Sequence, residues 1–330
     1  MSATLFTADI WPCSTQRRDS GACAFLRAMR THFSRTAVKV ARFVPWLDRQ
    51  PRLSPLLPKG AAASTERLLL QAGLLKPWML RLFSAPWYGR LLTSIEKRTV
   101  PGQSLLVGLR KRFMDDETRA ALAGGSRQVL VVGAGLDTLC WRLAPEYPDV
   151  TFIEVDHPAT QAVKRQALEG MGPPPPNLHL LGVDLSRTPL EEALSGMPVW
   201  RKKAPSIVIA EAVLMYLEEA HVLAFLEAVH RCTGPGTRLL FTYVLDPSAG
   251  RPTTTSRGMR WLIEQSLRLV GEPLLWSVHE GALLPLLERH GFQLDDSPER
   301  VDLHRRYLVP AGLSQLTVRG IEYPAVAEKR

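Results

Sequence analysis

No stretch of this 330-residue chain approaches the roughly 20 consecutive apolar residues that a membrane-spanning helix needs. The opening residues also lack the pattern of a secretory leader, because Met1–Ile10 carries no basic start and Arg17, Arg18 and Asp19 interrupt the text before any apolar core develops. Cysteine is scarce: Cys13, Cys23, Cys140 and Cys232 form no CxxC pair, and no histidine or cysteine stands at zinc spacing beside them. A disulfide framework and a structural zinc site are therefore not expected, and reduced thiols, two of them buried, are. Internal repeats and dense runs of one charge are lacking too. These absences together predict a soluble, cytoplasmic, globular protein.

The composition is ordinary for such a protein, with 45% hydrophobic and 22% charged residues. The net charge of +9 is unevenly placed, since residues 1–128 carry 21 of the 41 basic side chains and only 8 of the 32 acidic ones. The cations are scattered through apolar helical text without interleaved aromatics, so they read as solvated helix faces rather than a nucleic-acid surface. An anionic substrate is the functional alternative.

Residues 1–33 show no periodicity and are expected to be poorly ordered. A helix is predicted from Ser34 to Leu47, with Pro45, Pro51, Pro55 and Pro58 breaking the pattern and Gln50–Gly60 as a connector. Residues 64–92 read as helices interrupted at Gly73, Pro77 and Pro86. A further helix over 103–123 ends at Gly124 and Gly125. This gives a helical lid region over 34–125. From 126 to 330 the text changes to short apolar strands at 128–133, 151–156, 178–184, 206–213 and 237–244, with helices at 158–169, 218–232 and 280–289. Strands buried on both faces with helices between them imply a parallel sheet wound on both sides. The four consecutive prolines in 172–177 require a surface loop. Helical text at 258–270 suggests a lid insertion at about 250–275, and two more strands follow Gly291.

Four positions at strand ends carry the chemistry. The first strand runs into Gly133-Ala134-Gly135-Leu136-Asp137-Thr138, a glycine turn of the kind that lets backbone approach a ligand. The dinucleotide fingerprint wants a third glycine where Thr138 stands, which disfavours a nicotinamide or flavin enzyme. The second strand ends in Glu154-Val155-Asp156, where a carboxylate accepts from both ribose hydroxyls of an adenosine. The two acids are expected to alternate across the strand, so that only one faces a ligand, and Asp156, nearer the carboxyl edge, is preferred. Asp184 and Leu185 end the third strand, suited to an adenine amino group and ring, although a lone Asp there also serves as a turn residue. Glu211 ends the fourth strand, where a carboxylate in apolar surroundings needs a partner or a function. All four fall where open α/β sheets bind ligands.

The runs GAGLDTLCWRL, FIEVDHPATQAVKR and AEAVLMYLEEAHV resemble the leucine carboxyl methyltransferase-like family, which includes bacterial small-molecule O-methyltransferases such as polyketide-modifying enzymes. LRKRFMDDETRAAL before the first strand, and GEPLLW and HGF near the end, fit the same family. The resemblance covers about residues 103–330. It implies a class I methyltransferase (Rossmann-like) seven-stranded α/β fold with a helical lid and S-adenosyl-L-methionine as cofactor, lying over Gly133, Ala134 and Gly135. It further implies ribose contact by Asp156 with His157 beside it, adenine contact by Asp184 and Leu185, and Glu211 near the amino-acid end. By position, Arg110, with Arg112 as second choice, grips the cofactor carboxylate, and a family lysine maps near Lys39.

A carboxylate acceptor needs no general base, whereas a hydroxyl does. The candidates are His157, Tyr216 and His279, with Tyr216 as the catalytic choice. Thr253–Thr255, between Arg251 and Arg257, read as a mobile loop over the site, and Trp261 and Trp276 as acceptor-pocket or core residues. The expected partner is a small-molecule acceptor, a metabolite hydroxyl or carboxyl, with a protein C-terminal carboxyl as the alternative and no nucleic acid or membrane. An NAD(P)-dependent oxidoreductase and a non-catalytic cofactor-binding subunit are the readings from other classes.

Overall fold

The computed structural model describes residues 34–98, 102–246, 274–279, 281–295, 297, 301–318 and 322–330. The expected disordered opening (1–33), the loop at Thr253–Thr255 and Trp261 lie outside these residues, as does the insertion at 250–275 apart from Leu274 and Leu275.

Helices come first. Helix α1 (Arg35–Asp48) is capped by Ser34, whose side chain accepts from the Ala37 N–H at 3.0 Å. It runs through Pro45 instead of breaking there. The lost N–H costs a hydrogen bond, but Val44, Trp46 and Leu47 are all buried around it and hold the last turn in place. A short 3-10 turn (Ser54–Leu56) lies within the expected connector. Then follow α2 (Ala61–Gln71), α3 (Pro77–Ser84), α4 (Pro86–Arg98) and α5 (Gln103–Ala123), α3 and α4 each opening on a proline.

The sheet alternates with further helices: β1 (Gln128–Val132), α6 (Leu139–Leu143), β2 (Thr151–Asp156), α7 (Pro158–Glu169), β3 (Leu178–Gly182), α8 (Leu190–Ser195), β4 (Ile207–Ala210), a 3-10 turn (Leu214–Tyr216), α9 (Glu219–Cys232), β5 (Arg238–Val244), α10 (Leu283–Arg289), β6 (Phe292–Asp295) and β7 (Glu322–Lys329). The seven strands lie in the order β3-β2-β1-β4-β5-β7-β6. The first five are parallel, while β7 inserts antiparallel between β5 and β6. Pro324 in β7 sits opposite Thr242, beyond the residues of β7 that β6 pairs, so its missing N–H breaks no ladder on that side.

Successive strand residues face opposite layers. Val129, Val131, Phe152, Ile207 and Ile209 pack with Leu109 and Phe113 of α5. Leu130, Val132, Ile153, Val155 and Val208 pack with Val222, Phe225 and Val229 of α9. The doubly wound α/β sheet is thus present, with its seven strands. The proline run forms a loop with three of its four prolines exposed, and Asn177 fastens its end by donating to the Ala144, Tyr147 and Val150 carbonyls at 3.1, 2.9 and 2.8 Å. Cys140 and Cys232 are buried free thiols. No helix among the described residues is long and apolar enough to cross a membrane.

Candidate functional site

The order of the sheet brings the four strand ends into one row. Asp184 follows β3, Asp156 ends β2, Gly133–Gly135 follow β1 and Glu211 follows β4, and these strands are neighbours in that sequence. Gly133 has φ 68° and Gly135 φ 52°, backbone that L side chains rarely adopt. A Cβ on Gly133 would stand 2.3 Å from Val213 Cγ2, so the turn after β1 lies directly against the segment after β4. Over Gly135 comes α1, with Ala37 Cβ 3.5 Å from where a Cβ would be.

Glu154 and Asp156 do not alternate across the strand as expected: they are two apart and so share one face of β2, and depth separates them. Glu154 is 1% exposed and forms an ion pair with Lys164 of α7 at 2.5 Å. Burial pushes its carboxyl above the usual range, with Lys164 opposing. Asp156, at the edge, accepts from the Gly135 N–H at 2.5 Å through Oδ2 and from the His157 N–H at 2.6 Å through Oδ1. Burial pushes its carboxyl up, and these two backbone donors hold it back. His157 caps α7, its Nδ1 accepting from the Ala159 N–H at 3.3 Å. It is a loop histidine between Asp156 and Asp184. Asp184 accepts from the Ser186 hydroxyl at 2.6 Å and N–H at 3.0 Å, the turn role weighed for a lone Asp. Leu185 packs partly buried on the α9-side core.

The charged end of the row is built from both sides of the sheet. Arg110 of α5, 4% exposed, donates from Nε to Glu211 Oε1 at 2.7 Å and from a terminal nitrogen to Glu322 of β7. Lys111 pairs with Glu211 at 3.0 Å and with Asp137 of the glycine turn. Burial alone would lower the Arg110 pKa, but Glu322 and Glu211 raise it; Lys111 is raised likewise by Asp137 and Glu211, and Asp137 is held well below the usual carboxylate range by Lys111 against its burial. Glu211 thus has the partner that its apolar strand end demanded. Ala212, next to it, takes φ 55° and donates its N–H to the Thr242 hydroxyl at 2.8 Å, which fixes the direction in which Glu211 leaves β4. A cavity of about 30 Å³ sits at this junction, lined by Lys111, Gly133, Ala134, Asp137 and Glu211 among others. A larger groove of about 430 Å³, lined by Gln50, Arg90, Thr93, Ser94 and Lys97, shares no residue with the strand ends.

Other sequence candidates fall elsewhere. Arg112, the second choice, pairs with Asp116 one turn along α5. Lys39 is exposed on α1. His279 is 63% exposed, 3.9 Å from Asp246. Trp276 is a core residue at 6% exposure. Tyr216, half-buried in the 3-10 turn after Glu211, lies within electrostatic reach of Arg110. Lys111, Asp137, Val213 and Glu322 were not read from the sequence. Lys111 and Asp137 stood inside the quoted runs; Glu322 has no local signal, because only the strand order brings it to Arg110.

Comparison with known proteins agrees with this architecture. A Parafrankia protein provisionally named an S-adenosyl-L-methionine-dependent methyltransferase is 35% identical over 134 residues, 40% of this chain and 42% of its own length. A Mycobacterium protein of the same provisional name is 31% identical over 211 residues, 62% of this chain and 66% of its own. The chain thus matches about two-fifths to two-thirds of the length of these relatives. Two crystal structures share the fold: a provisionally named methyltransferase from Thermobifida fusca (TM-score 0.52, 19% identity, 74% of this chain and 88% of that one) and a DUF574 family protein from Streptomyces avermitilis (TM-score 0.55, 14% identity, 80% and 96%). The family model for leucine carboxyl methyltransferase matches residues 65–230, from α2 through α9 and across the whole row of strand ends. This chain belongs to the leucine carboxyl methyltransferase family.

Proposed function

We propose that this chain is an S-adenosyl-L-methionine-dependent methyltransferase that methylates an oxygen atom of a small molecule. The observation that carries the reading is the junction of Arg110 and Lys111 with Asp137 and Glu211 directly beside the glycine turn. An amino-acid zwitterion needs cations for its carboxylate and anions for its ammonium within a few ångströms, and this junction offers both. A dinucleotide presents a pyrophosphate to the same turn and has no use for the two carboxylates. The remaining groups fit the same cofactor. Gly133 and Gly135 keep side chains out of the turn, Asp156 offers a carboxylate to the ribose, and Asp184 and Leu185 stand one strand further on for the adenine.

When bound, the cofactor supplies an electrophilic methyl group on a sulfonium sulfur. The chain's own work is alignment. Arg110 would hold the cofactor carboxylate and Glu211 its ammonium. A carboxylate acceptor then needs no base; for a hydroxyl, Tyr216, in the turn after Glu211, is the candidate. The relatives named as methyltransferases support the reaction class. The family name makes a protein C-terminal carboxyl the second acceptor class, and a panel of both acceptor types separates them. Two buried free thiols suit the reducing cytoplasm.

The test is a calorimetric titration of S-adenosylhomocysteine into the wild type and Asp156→Ala, with NADH as control. Binding to the wild type, weakened at least tenfold (about 1.4 kcal/mol or more) in the variant, is expected from the loss of hydrogen bonds to a charged acceptor. Binding of NADH in place of S-adenosylhomocysteine overturns the reading in favour of an oxidoreductase.

A further inference from the structure

Two cations and three carboxylates meet at the charged end of the site. Arg110 and Lys111 face Asp137, Glu211 and Glu322. With all five ionised the cluster is one negative charge in excess. Four members have a local reason to be there: Arg110 and Lys111 are neighbours on α5, Asp137 closes the glycine turn, and Glu211 ends β4. Glu322 does not. It opens β7, opposite Val244 of β5, and reaches Arg110 across a separation of 212 residues.

Its two oxygens are unequal. Oε2 accepts from Arg110, while Oε1 is buried and has no hydrogen-bond partner among the described residues. A buried carboxylate oxygen without a donor costs free energy that a neutral side chain would not. If the only task were to neutralise Arg110, Glu211 already does so at 2.7 Å. A single guanidinium bridges Glu211 and Glu322, so the carboxylate with the unpartnered oxygen is held on the same cation as the carboxylate read as the ammonium ligand.

We infer that Glu322 forms the third wall of the subsite for the cofactor's amino-acid end, holding Arg110 with one oxygen and receiving the cofactor ammonium with the other. The inference rests on the proposed cofactor. It accounts for the position of β7 at the site, for the unpaired oxygen and for the excess charge. S-adenosyl-L-methionine carries a net positive charge, from its sulfonium and ammonium against one carboxylate, and a cluster with one surplus negative charge is its complement. Glu322 is then a ligand-contacting residue and, through Arg110, a positioning one.

Three ligands separate this from structural support: S-adenosylhomocysteine, its analogue lacking the amino group, and 5′-methylthioadenosine, which keeps the nucleoside and lacks the amino acid. Each is titrated by calorimetry into the wild type and Glu322→Gln. The substitution leaves two cations facing two carboxylates, a balanced cluster that favours folding. The expected result is at least a tenfold loss for S-adenosylhomocysteine in the variant, less than a twofold change for 5′-methylthioadenosine, and equal binding of the des-amino analogue to both proteins. Equal affinity of both proteins for S-adenosylhomocysteine overturns the inference while leaving the cofactor reading intact. Equal weakening of all three ligands also overturns it, because a purely structural role would do that. If neither S-adenosylhomocysteine nor 5′-methylthioadenosine binds the wild type, the proposed function fails and takes the inference with it. Should the Gln variant not fold, Glu322→Asp keeps the charge, draws the oxygens back by one methylene, and is read by the same three titrations.

Discussion

Replacing Gly133 with alanine tests whether the glycine turn and the segment after β4 act as one unit. Two costs add. At φ 68° an L side chain meets its own backbone, at about 1–2 kcal/mol. The new methyl would also stand 2.3 Å from Val213 Cγ2, more than 1 Å inside the ordinary contact limit of 3.4 Å. Relieving that overlap resembles overpacking a core, at about 1–3 kcal/mol. The sum, about 2–5 kcal/mol, corresponds in a chain of this length to a Tm lowered by roughly 3–8 °C. Val213 is two residues beyond Glu211, so the displacement is passed to the carboxylate that holds Arg110 and Lys111. Affinity for S-adenosylhomocysteine should therefore fall with stability. The double variant Gly133→Ala/Val213→Ala removes the two methyls in the way and leaves the φ term. It should recover more than half of the lost Tm and part of the affinity. Thermal unfolding and calorimetry on the two variants decide the matter. If the double variant is no better than the single one, the contact with Val213 is irrelevant, and the turn needs glycine for its backbone conformation alone.

The Glu154–Lys164 pair, buried at 1% and 0% exposure, gives a test with a pH signature. Lys164→Met leaves a buried carboxylate alone and should cost about 3–5 kcal/mol, while Glu154→Leu/Lys164→Met should lie near the wild type. The folded-state pKa of Glu154 is already above its ordinary 4.5, so its contribution is fully present below that value and is lost as pH rises through the folded one. Removing the cation drives it further up, so the Tm gap between Lys164→Met and wild type should be wider at pH 8 than at pH 5; an equal gap at both counts against a charged Glu154. The two arginines offered for the cofactor carboxylate separate cleanly: Arg110→Ala should weaken S-adenosylhomocysteine binding at least tenfold, and Arg112→Ala, whose side chain pairs only along its own helix, should change it less than twofold. The opposite ranking would refute the placement of α5.

Periodicity and punctuation made most of the scaffold legible. Helices α5 and α7 fall on the residues expected, because each is a long run ended by glycine or opened by proline, and strand β2 matches as a short, largely apolar run. The short helices α6 and α8, five and six residues long, offer too few turns for periodicity and were missed. Pro45 was read as a break, and the buried side chains around it overrule that local rule. At the site, the four strand ends stood out because chain order and spatial order agree there, whereas Asp137, Val213 and Lys111, beside them, carried no signal of their own. Glu322 had none either, because it arrives from an antiparallel strand whose place between β5 and β6 is decided by sheet topology rather than by neighbours in sequence.

That same insertion of β7 between β5 and β6 ties solubility to the integrity of the site. Strand β5 reads RLLFTYV, a β-branched and aromatic run whose backbone groups on one side are satisfied by β7. Until β7 docks, β5 presents a bare apolar edge of the kind that templates intermolecular pairing. The strand that seals the aggregation-prone edge is therefore also the one that carries Glu322 to the junction. Fusions or truncations that disturb residues 322–330 should then precipitate the protein and empty its charge cluster of Glu322 in a single event.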